Sequence, residues 1–224
     1  MWWLGRKVAL ALMAMALATP LAAAPETAPR HDETPLADLL EVIVTGREVL
    51  AVDARGGGAT TISLRLEETV LWTDSRGKVG VVLTDRRVLL VATRSAAWQQ
   101  VSYQQAELPP KDALLGDRVA LVVTSRRALG FNGESGNLVE YRLGPQEAVL
   151  AARVGESIAV VVTDRRAFGV SPFAGGFFEI SVLLNERLES VNADSNLATV
   201  TTDRRVLIFR APSGSWEERR RTLR

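Results

Sequence analysis

Short apolar runs alternate with short polar turns along most of this chain, and the runs recur in the same order. In the second copy of the pattern, the runs at 70–73, 79–84, 87–93 and 98–104 predict four strands. The later copies predict strands at 119–124, 127–131 and 138–142, at 158–163, 166–170 and 177–183, and at 197–202, 205–210 and 216–222. The pattern therefore predicts an all-β protein made of repeated four-stranded units.

A polar turn separates the second and third strands of each unit and reads Thr-Asp-Arg-Arg or a close variant. Its threonines are Thr45, Thr84, Thr124, Thr163 and Thr202, spaced 39 or 40 residues apart. The first copy is degenerate and reads Thr45-Gly46-Arg47-Glu48. Five copies at so regular an interval are typical of a repeat architecture.

The two middle strands of each unit are apolar on both faces, as in Val81-Val82-Leu83. A sheet of this kind must be covered on both sides, and sheets stacked face to face around an axis satisfy that condition. Small residues stand four positions before most of the threonines, as expected where sheets crowd together. They are Gly80, Ala120, Ala159 and Ala198, whereas the first copy has Glu41.

The polar turn, the apolar strand after it, a Gly/Ser turn and an aromatic residue follow one another in each copy, as in Ser213-Gly214-Ser215-Trp216 and Gly175-Gly176-Phe177. Over residues 36–224 this order resembles the blades of PQQ-type and related β-propeller repeats. The resemblance implies a five-bladed β-propeller with four-stranded repeats of about 39 residues and a degenerate first blade. Bacterial PH-like domains share the phrase Val-Leu-Thr-Asp-Arg-Arg-Val-Leu but use it once per domain, so five tandem copies argue against them.

The N-terminal region predicts export. Arg6 and Lys7 precede an apolar run at 8–17, and small residues follow at 22–24. This order is typical of a signal peptide, which we place at 1–23, followed by a flexible lead at 24–35 and a single propeller domain at 36–224. An uncleaved anchor is the alternative, although the apolar run is shorter than the roughly 20 residues of a spanning helix. We therefore expect a periplasmic or secreted protein without a transmembrane anchor after cleavage.

The composition argues against several kinds of site and partner. The chain has 224 residues, no cysteine, one histidine (His31, in the lead) and a net charge of +1. It therefore predicts no disulfide framework, metal site or cofactor, and its charge does not indicate nucleic acid as a partner. A carboxylate pair at Asp74, Asp117 or Asp194 is the remaining route to catalysis, but each of these residues also stands in an ordinary turn context.

Two sets of charged residues recur with the repeat. One arginine stands two positions after each threonine: Arg47, Arg86, Arg126, Arg165 and Arg204. One glutamate stands 23 positions after each of the first four: Glu68, Glu107, Glu147 and Glu186. The propeller resemblance implies that both sets share one face, where they form either a structural latch between blades or an arginine rim that binds an anionic ligand. The latch interpretation predicts that Arg165→Ala lowers the melting temperature.

The function predicted from these patterns is a non-catalytic, exported propeller that acts as a protein-interaction or scaffolding module. A small-ligand or glycan-binding propeller and a carboxylate-dependent hydrolase are the alternatives. The outer-strand positions Trp98, Leu138, Phe177 and Trp216 are expected to be packing anchors. An interaction module predicts an exposed apolar or arginine-bearing patch on the turn face, whereas a hydrolase predicts carboxylates about 5–10 Å apart. The partner is expected to be another protein, and the oligomeric state is left open.

Overall fold

The chain forms only β-structure in the part that can be described. The computed structural model describes residues 39–55, 58–93, 95 and 97–221, and this part contains 19 strands and no helix. The strands make five antiparallel sheets, one of three strands and four of four strands. Each sheet matches one copy of the sequence repeat, which confirms the five-bladed β-propeller. The predicted signal peptide and lead lie outside the described residues.

The strands of each blade pair in chain order or its reverse. Blade 1 contains β1 (Leu40–Thr45), β2 (Glu48–Asp53) and β3 (Ala59–Ser63). Blade 2 contains β4 (Val70–Arg76), β5 (Val79–Thr84), β6 (Arg87–Ala92) and β7 (Gln99–Ser102). Blade 3 contains β8 (Leu114–Leu115), β9 (Val119–Val123), β10 (Arg127–Asn132) and β11 (Leu138–Arg142). Blade 4 contains β12 (Val149–Val154), β13 (Ala159–Thr163), β14 (Arg166–Ser171) and β15 (Ala174–Ser181), and blade 5 contains β16 (Leu188–Ala193), β17 (Leu197–Thr202), β18 (Arg205–Arg210) and β19 (Ser215–Arg220).

Blade 1 is the degenerate blade. Its first strand, β1, ends at Thr45 and is therefore the equivalent of the second strand of the other blades. Within the described residues no strand pairs with β1 on its other side, and three strands of this blade are described. The predicted degeneracy of the first blade is confirmed.

In the described part of the chain, four apolar clusters hold successive blades together. They lie between blades 1 and 2, 2 and 3, 3 and 4, and 4 and 5. Strands β5 and β6 are buried at every position, because blade 2 has a neighbour on both faces. Gly80 shows how close the sheets come, since a Cβ added there would lie 2.5 Å from Cγ2 of Val42 in blade 1.

The outward faces of the first and last blades are less well covered. Ile43 and Val52 of blade 1 are 39% and 36% exposed, and Leu197 of blade 5 is 38% exposed. Among the residues described, no apolar cluster joins blade 5 to blade 1. The packing of the propeller is therefore strongest in its middle blades.

A series of backbone hydrogen bonds links the turns between first and second strands from blade to blade. Lys78 N donates to Asp117 O over 2.7 Å, and Ser157 N donates to Ser195 O over 2.8 Å. The approach is so close that a Cβ on Gly155 would lie 2.0 Å from the carbonyl oxygen of Asp194. Glycine is required there because any side chain would collide with the backbone of the next blade. We call this end of the blades the glycine face, and the opposite end, which carries the threonine turns, the hairpin face.

Candidate functional site

On the hairpin face, the threonine turns of blades 2 to 5 are each bound to the connection that leads into their own blade. In blade 2, Asp85 N donates to Thr69 O over 3.0 Å, and Asp85 Oδ1 accepts from Thr69 N over 2.9 Å. Asp164 and Asp203 make the equivalent side-chain contacts in blades 4 and 5. In blade 3 the aspartate is replaced by Ser125, whose hydroxyl accepts from Leu108 N over 3.2 Å.

A buried group of three side chains, which we call the latch, lies directly beneath each of these turns. In blade 2, Glu68 Oε1 accepts from Thr84 Oγ1 and from Arg87 Nε, both over 2.8 Å. Glu68 Oε2 accepts from Arg87 Nη2 over 2.9 Å and from the backbone N of Arg65 over 2.6 Å. The carboxylate, which belongs to the connection between blades 1 and 2, therefore receives four hydrogen bonds and none of its side chain is exposed.

The latch recurs in the next three blades. Its members there are Glu107, Thr124 and Arg127; Glu147, Thr163 and Arg166; and Glu186, Thr202 and Arg205. In each latch the remaining Nη1 of the arginine donates to an outer-strand side chain. The acceptors are Gln100, Glu140, Glu179 and Glu218. Each latch thus joins a connection from the preceding blade to the middle and outer strands of its own blade.

The arginine of the latch differs from the expected one. The side chain of Arg165, which stands two positions after its threonine, donates to the carbonyl oxygen of Pro145 over 3.3 Å, whereas the side chain of Arg166 forms the paired bonds with Glu147. The reason is strand geometry. The residue three positions after the threonine begins the next strand opposite it, so both side chains leave the sheet on the same face. The prediction that Arg165→Ala would weaken the latch is therefore corrected to Arg166.

The hydrogen bonds keep the latch carboxylates ionised. Burial is the largest influence on Glu68 and pushes its pKa upward, but the bonds from Arg87, the backbone of Arg65 and Thr84 outweigh it and lower the pKa to about 2. The same balance holds the pKa of Glu186 at about 2. For Glu147 the hydrogen bonds from Arg166 are the largest influence and lower the pKa to about 2. Each latch is therefore a charged pair at neutral pH.

The arginines that the sequence assigned to a rim lie outside the latches and are exposed: Arg47, Arg86, Arg126, Arg165 and Arg204. Arg86 has a loose ion pair with Asp85 at 3.9 Å. In the described part of the chain, the other four have no carboxylate within ion-pair distance. Since the latch glutamates are already paired, the rim arginines remain available to an external group; their binding role stays a prediction.

Exposed leucines and valines share the hairpin face with these arginines. Leu66, Leu108 and Leu184 are 70%, 69% and 87% exposed, and Leu71, Val149, Leu150 and Leu183 are also exposed. Leu66 and Leu184 occupy tight turns, each followed by a residue of positive φ, Glu67 or Asn185. Leu71 and Leu150 fall at β-bulges, where the strand pairing shifts register. The backbone therefore holds these side chains away from the apolar clusters.

Two concave regions involve blades 3 and 4. A groove of about 420 Å³ on the hairpin face is lined by Gln104, Ser125, Arg126, Arg127, Arg142, Leu143, Gly144, Pro145 and Gln146. A cavity of about 520 Å³ lies at the other end of the blades, and Phe131, Leu138, Asn132 and Ser171 are among its lining residues. The first is lined by three arginines and no carboxylate, and the second is mixed apolar and amide.

The carboxylates considered for hydrolysis each bond to a neighbouring group. Asp74 and Asp194 are exposed and accept from the backbone N of the next residue, Ser75 and Ser195. Asp117 is buried and accepts from Arg76 Nε over 2.9 Å. Among the described residues no group of three or more His, Cys, Asp or Glu side chains could hold a metal ion. Each of the three carboxylates thus accepts a hydrogen bond from a different residue.

The outer-strand aromatic residues are packing anchors, as predicted. Trp98 is buried, and its Nε1 donates to Thr60 O of blade 1 over 3.0 Å. Trp216 Nε1 donates to Phe178 O of blade 4 over 2.8 Å. Each indole thus fastens the outer edge of its blade to the preceding blade.

The described residues contain no helix that could cross a membrane. No protein-family model matches the chain, and no curated protein matches it in sequence.

Solved structures with a similar arrangement include the N-terminal domain of Nup159, with 14% identity and a TM-score of 0.35 over 82% of this chain and 58% of that one. Prp20p from Saccharomyces cerevisiae shows 9% identity and a TM-score of 0.37 over 75% of this chain and 56% of its own. The computationally designed Ika8 protein shows 10% identity and a TM-score of 0.38 over 79% and 56%. The chain spans a little over half the length of these solved chains.

Proposed function

We propose that this protein is a non-catalytic interaction module that binds another protein through its hairpin face. The observation that carries the proposal is the concentration of exposed apolar and arginine side chains on this face. Among the residues that the structure describes, seven of the 11 large hydrophobic residues that are exposed lie on this face, together with the five rim arginines. Contiguous exposed apolar residues mark interaction surfaces, and arginine is enriched in such surfaces.

The latches support this role because they make the face rigid. Each connection that presents an exposed leucine is tied at its glutamate by four hydrogen bonds, as at Glu68. A surface that is already ordered loses less conformational entropy when a partner binds. The hairpin face is therefore suited to binding a partner without rearrangement.

We further propose that the protein works outside the cytoplasm. The support is the order of residues at the N-terminus, with Arg6 and Lys7 before an apolar run and small residues at 22–24. The likeness of the repeats to PQQ-type blades is the nearest family hypothesis. Recovery of the mature protein from the periplasmic or culture fraction, with a new N-terminus near residue 24, tests export; a cytoplasmic full-length chain would contradict it.

The binding role is tested by capture of partners with the tagged protein and with variants of the two opposite faces. We expect Leu66→Ser combined with Leu184→Ser to abolish capture, because both leucines are more than two-thirds exposed on the hairpin face. Phe173→Ser is the matched control, since Phe173 is 49% exposed at the β14–β15 turn on the glycine face. Equal capture by all three proteins would remove the basis of the proposal.

A small-ligand role is the second candidate, and the 520 Å³ cavity on the glycine face supports it. Its size is within the range of ligand pockets, and it combines Phe131 and Leu138 with the amides of Asn132 and Asn137. Ala174→Trp would fill this cavity without touching the hairpin face. Loss of a ligand-induced rise in melting temperature in this variant, with partner capture intact, would favour this alternative.

A further inference from the structure

Because the blades are repeats, each position on the hairpin face of one blade can be compared with the equivalent position in the others. Blade 3 differs from the other blades at two such positions. Ser125 stands where blades 2, 4 and 5 have Asp85, Asp164 and Asp203. Arg142, at the end of the outer strand, stands where blades 1, 2 and 4 have Ser63, Ser102 and Ser181. Blade 5 has an arginine at that second position, Arg220, but keeps its aspartate. Of the five blades, blade 3 alone combines both changes.

Both changes make the same place more positive. Loss of the aspartate removes one negative charge beside Arg126, and Arg142 adds one positive charge. Ser125 keeps the hydrogen bond to the connecting backbone, so the change alters charge without altering the turn. Arg126 has no carboxylate partner in the described part of the chain. At these two positions the net charge of blade 3 is therefore two units more positive than that of blades 2 and 4.

These two residues line the 420 Å³ groove, with Arg126 and Arg127. Arg127 is committed to its latch through Glu107 and Glu140. Arg142 is 81% exposed, and its nearest carboxylate is Glu140, 3.5 Å away and already bonded to Arg127. Arg126 and Arg142 therefore supply donors to the groove that nothing in the fold requires.

The backbone at Arg142 is also less constrained than its equivalents. In three blades the carbonyl at this position accepts from the next latch arginine, as Ser63 O does from Arg87 Nη2 over 3.0 Å. Among the described residues that bond has no counterpart between Arg142 and Arg166, and the Arg166 side chain is 28% exposed against 4–6% for the other latch arginines. The groove therefore lies beside the one latch whose arginine lacks the carbonyl bond and is the most exposed among the described latches.

We propose that this groove binds an acidic segment of the partner protein, with carboxylates on Arg126 and Arg142. The inference rests on the proposed function and names the chemistry of the partner. Guanidinium groups form paired, charge-assisted hydrogen bonds with carboxylates. Leu108, whose backbone bonds to Ser125, is 69% exposed beside the groove, so the segment carries apolar residues next to its carboxylates.

The test gives blade 3 the residues that other blades carry at the two positions, so that the fold is kept. Ser125→Asp and Arg142→Ser introduce the residues that blades 2 and 4 carry, so the double variant is expected to melt at the wild-type temperature. The probe is a short fluorescein-labelled peptide of glutamate and leucine, measured by anisotropy on the purified protein. We expect the double variant to bind it at least about tenfold more weakly, because it loses the charged hydrogen bonds of Arg142 and gains a carboxylate beside Arg126. A peptide with glutamine in place of glutamate is expected to bind neither protein.

A transplant gives the positive control. Asp164→Ser with Ser181→Arg reproduces the blade 3 pattern in blade 4, and we expect it to restore peptide binding to the double variant. Unchanged affinity of the Ser125→Asp, Arg142→Ser protein would overturn the proposal. Displacement of the peptide by an equal concentration of inorganic phosphate would also overturn it, since it would make the groove a site for small anions.

The outcome can be separated from that of the proposed function. Leu66 and Leu184 do not line the groove. If partner capture depends on these leucines but is the same for wild type and the Ser125→Asp, Arg142→Ser protein, the interaction role stands and the acidic segment is wrong. If capture depends on neither pair, the interaction role itself fails.

Discussion

At the scale of single residues, the latch shows that a shift of one position along the chain separates a buried, ion-paired arginine from an exposed one. Arg204 and Arg205 are neighbours, yet Arg204 is exposed and Arg205 is buried against Glu186, Glu218 and the carbonyl of Ser181. Removing one partner of a buried ion pair leaves an uncompensated charge and costs about 3–5 kcal/mol. The two arginines should therefore respond very differently to substitution.

We expect Arg205→Ala to lower the melting temperature by roughly 10 °C, on the basis of about 2–4 °C per kcal/mol for a chain of this size. Arg204→Ala is the matched control and should change it by no more than about 2 °C, because its guanidinium has no carboxylate within ion-pair distance in the described structure. Differential scanning calorimetry of the two variants measures both effects. Similar melting temperatures for the two would show that the latch does not stabilise the fold.

The latch also predicts a pH dependence. Glu68, Glu147 and Glu186 have pKa values of about 2 in the folded protein, below the ordinary value of 4.5. The unfolded chain therefore takes up protons first as the pH falls, so the stability that the latches contribute is complete above about pH 4.5 and is lost toward pH 2. Urea unfolding midpoints should fall steeply over that interval. Glu147→Gln should make the fall shallower; an unchanged slope would contradict the assignment.

At the scale of elements, the blade is a sheet that depends on its neighbours. The middle strands are apolar on both faces, and backbone hydrogen bonds join the turns of successive blades on the glycine face. At the outer edge, the indoles of Trp98 and Trp216 donate to the preceding blade. Successive blades are thus joined by their apolar cluster and, in addition, by the latch, by the backbone contact on the glycine face or by an outer-strand hydrogen bond.

The glycine contacts give a sharp comparison. Gly155→Ala would place a Cβ 2.0 Å from the backbone oxygen of Asp194, which cannot move without separating blades 4 and 5. Gly175→Ala meets no atom within 4 Å. We expect the first substitution to lower the free energy of unfolding by more than about 2 kcal/mol and the second by less than about 0.5 kcal/mol, measured by urea titration. Equal effects would show that blades 4 and 5 are farther apart than described.

At the scale of the whole molecule, stability should vary along the chain. Blade 1 has three strands in the described part of the chain, Glu48 where the other blades have the latch arginine, and an outward face with Ile43 and Val52 partly exposed. Blade 5 has the same kind of outward face at Leu197. In repeat architectures each unit is stabilised by its neighbours, so a unit with one well-packed side opens more readily.

Hydrogen exchange measured by mass spectrometry should therefore follow the order of the blades. We expect the slowest exchange in β5, β6, β9 and β13, whose residues are almost entirely buried. Exchange should be faster in β1 to β3 and in β16. Protection of blade 1 equal to that of blade 3 would indicate that its outward face is covered in solution.

Much of the architecture could be predicted because periodicity is a local property. The middle strands of blades 2 to 5 were placed within one residue, since their apolar runs end at the threonine turns. The first strands of blades 3 to 5 were not placed. Strand β8 (Leu114–Leu115) is too short to give a pattern, and β12 and β16 contain polar residues and a β-bulge that interrupt the apolar run. The latch glutamates were found by spacing, but their arginine partner was assigned one position too early. Alternation of side chains across the hairpin would have corrected it, since Thr84 and Arg87 leave the sheet on the same face.

The number of blades, the order of their strands and the small residues between them could be read from the amino-acid sequence, because each follows from a pattern within about 40 residues. Three features became visible only in the folded protein: which arginine is buried, where leucines from separate connections collect on one face, and how Ser125 and Arg142 come to line one groove. Those facts depend on side chains of different strands and blades meeting in space. Spacing along the chain shows that charged and apolar residues recur in each repeat, but it does not show which of them are in contact.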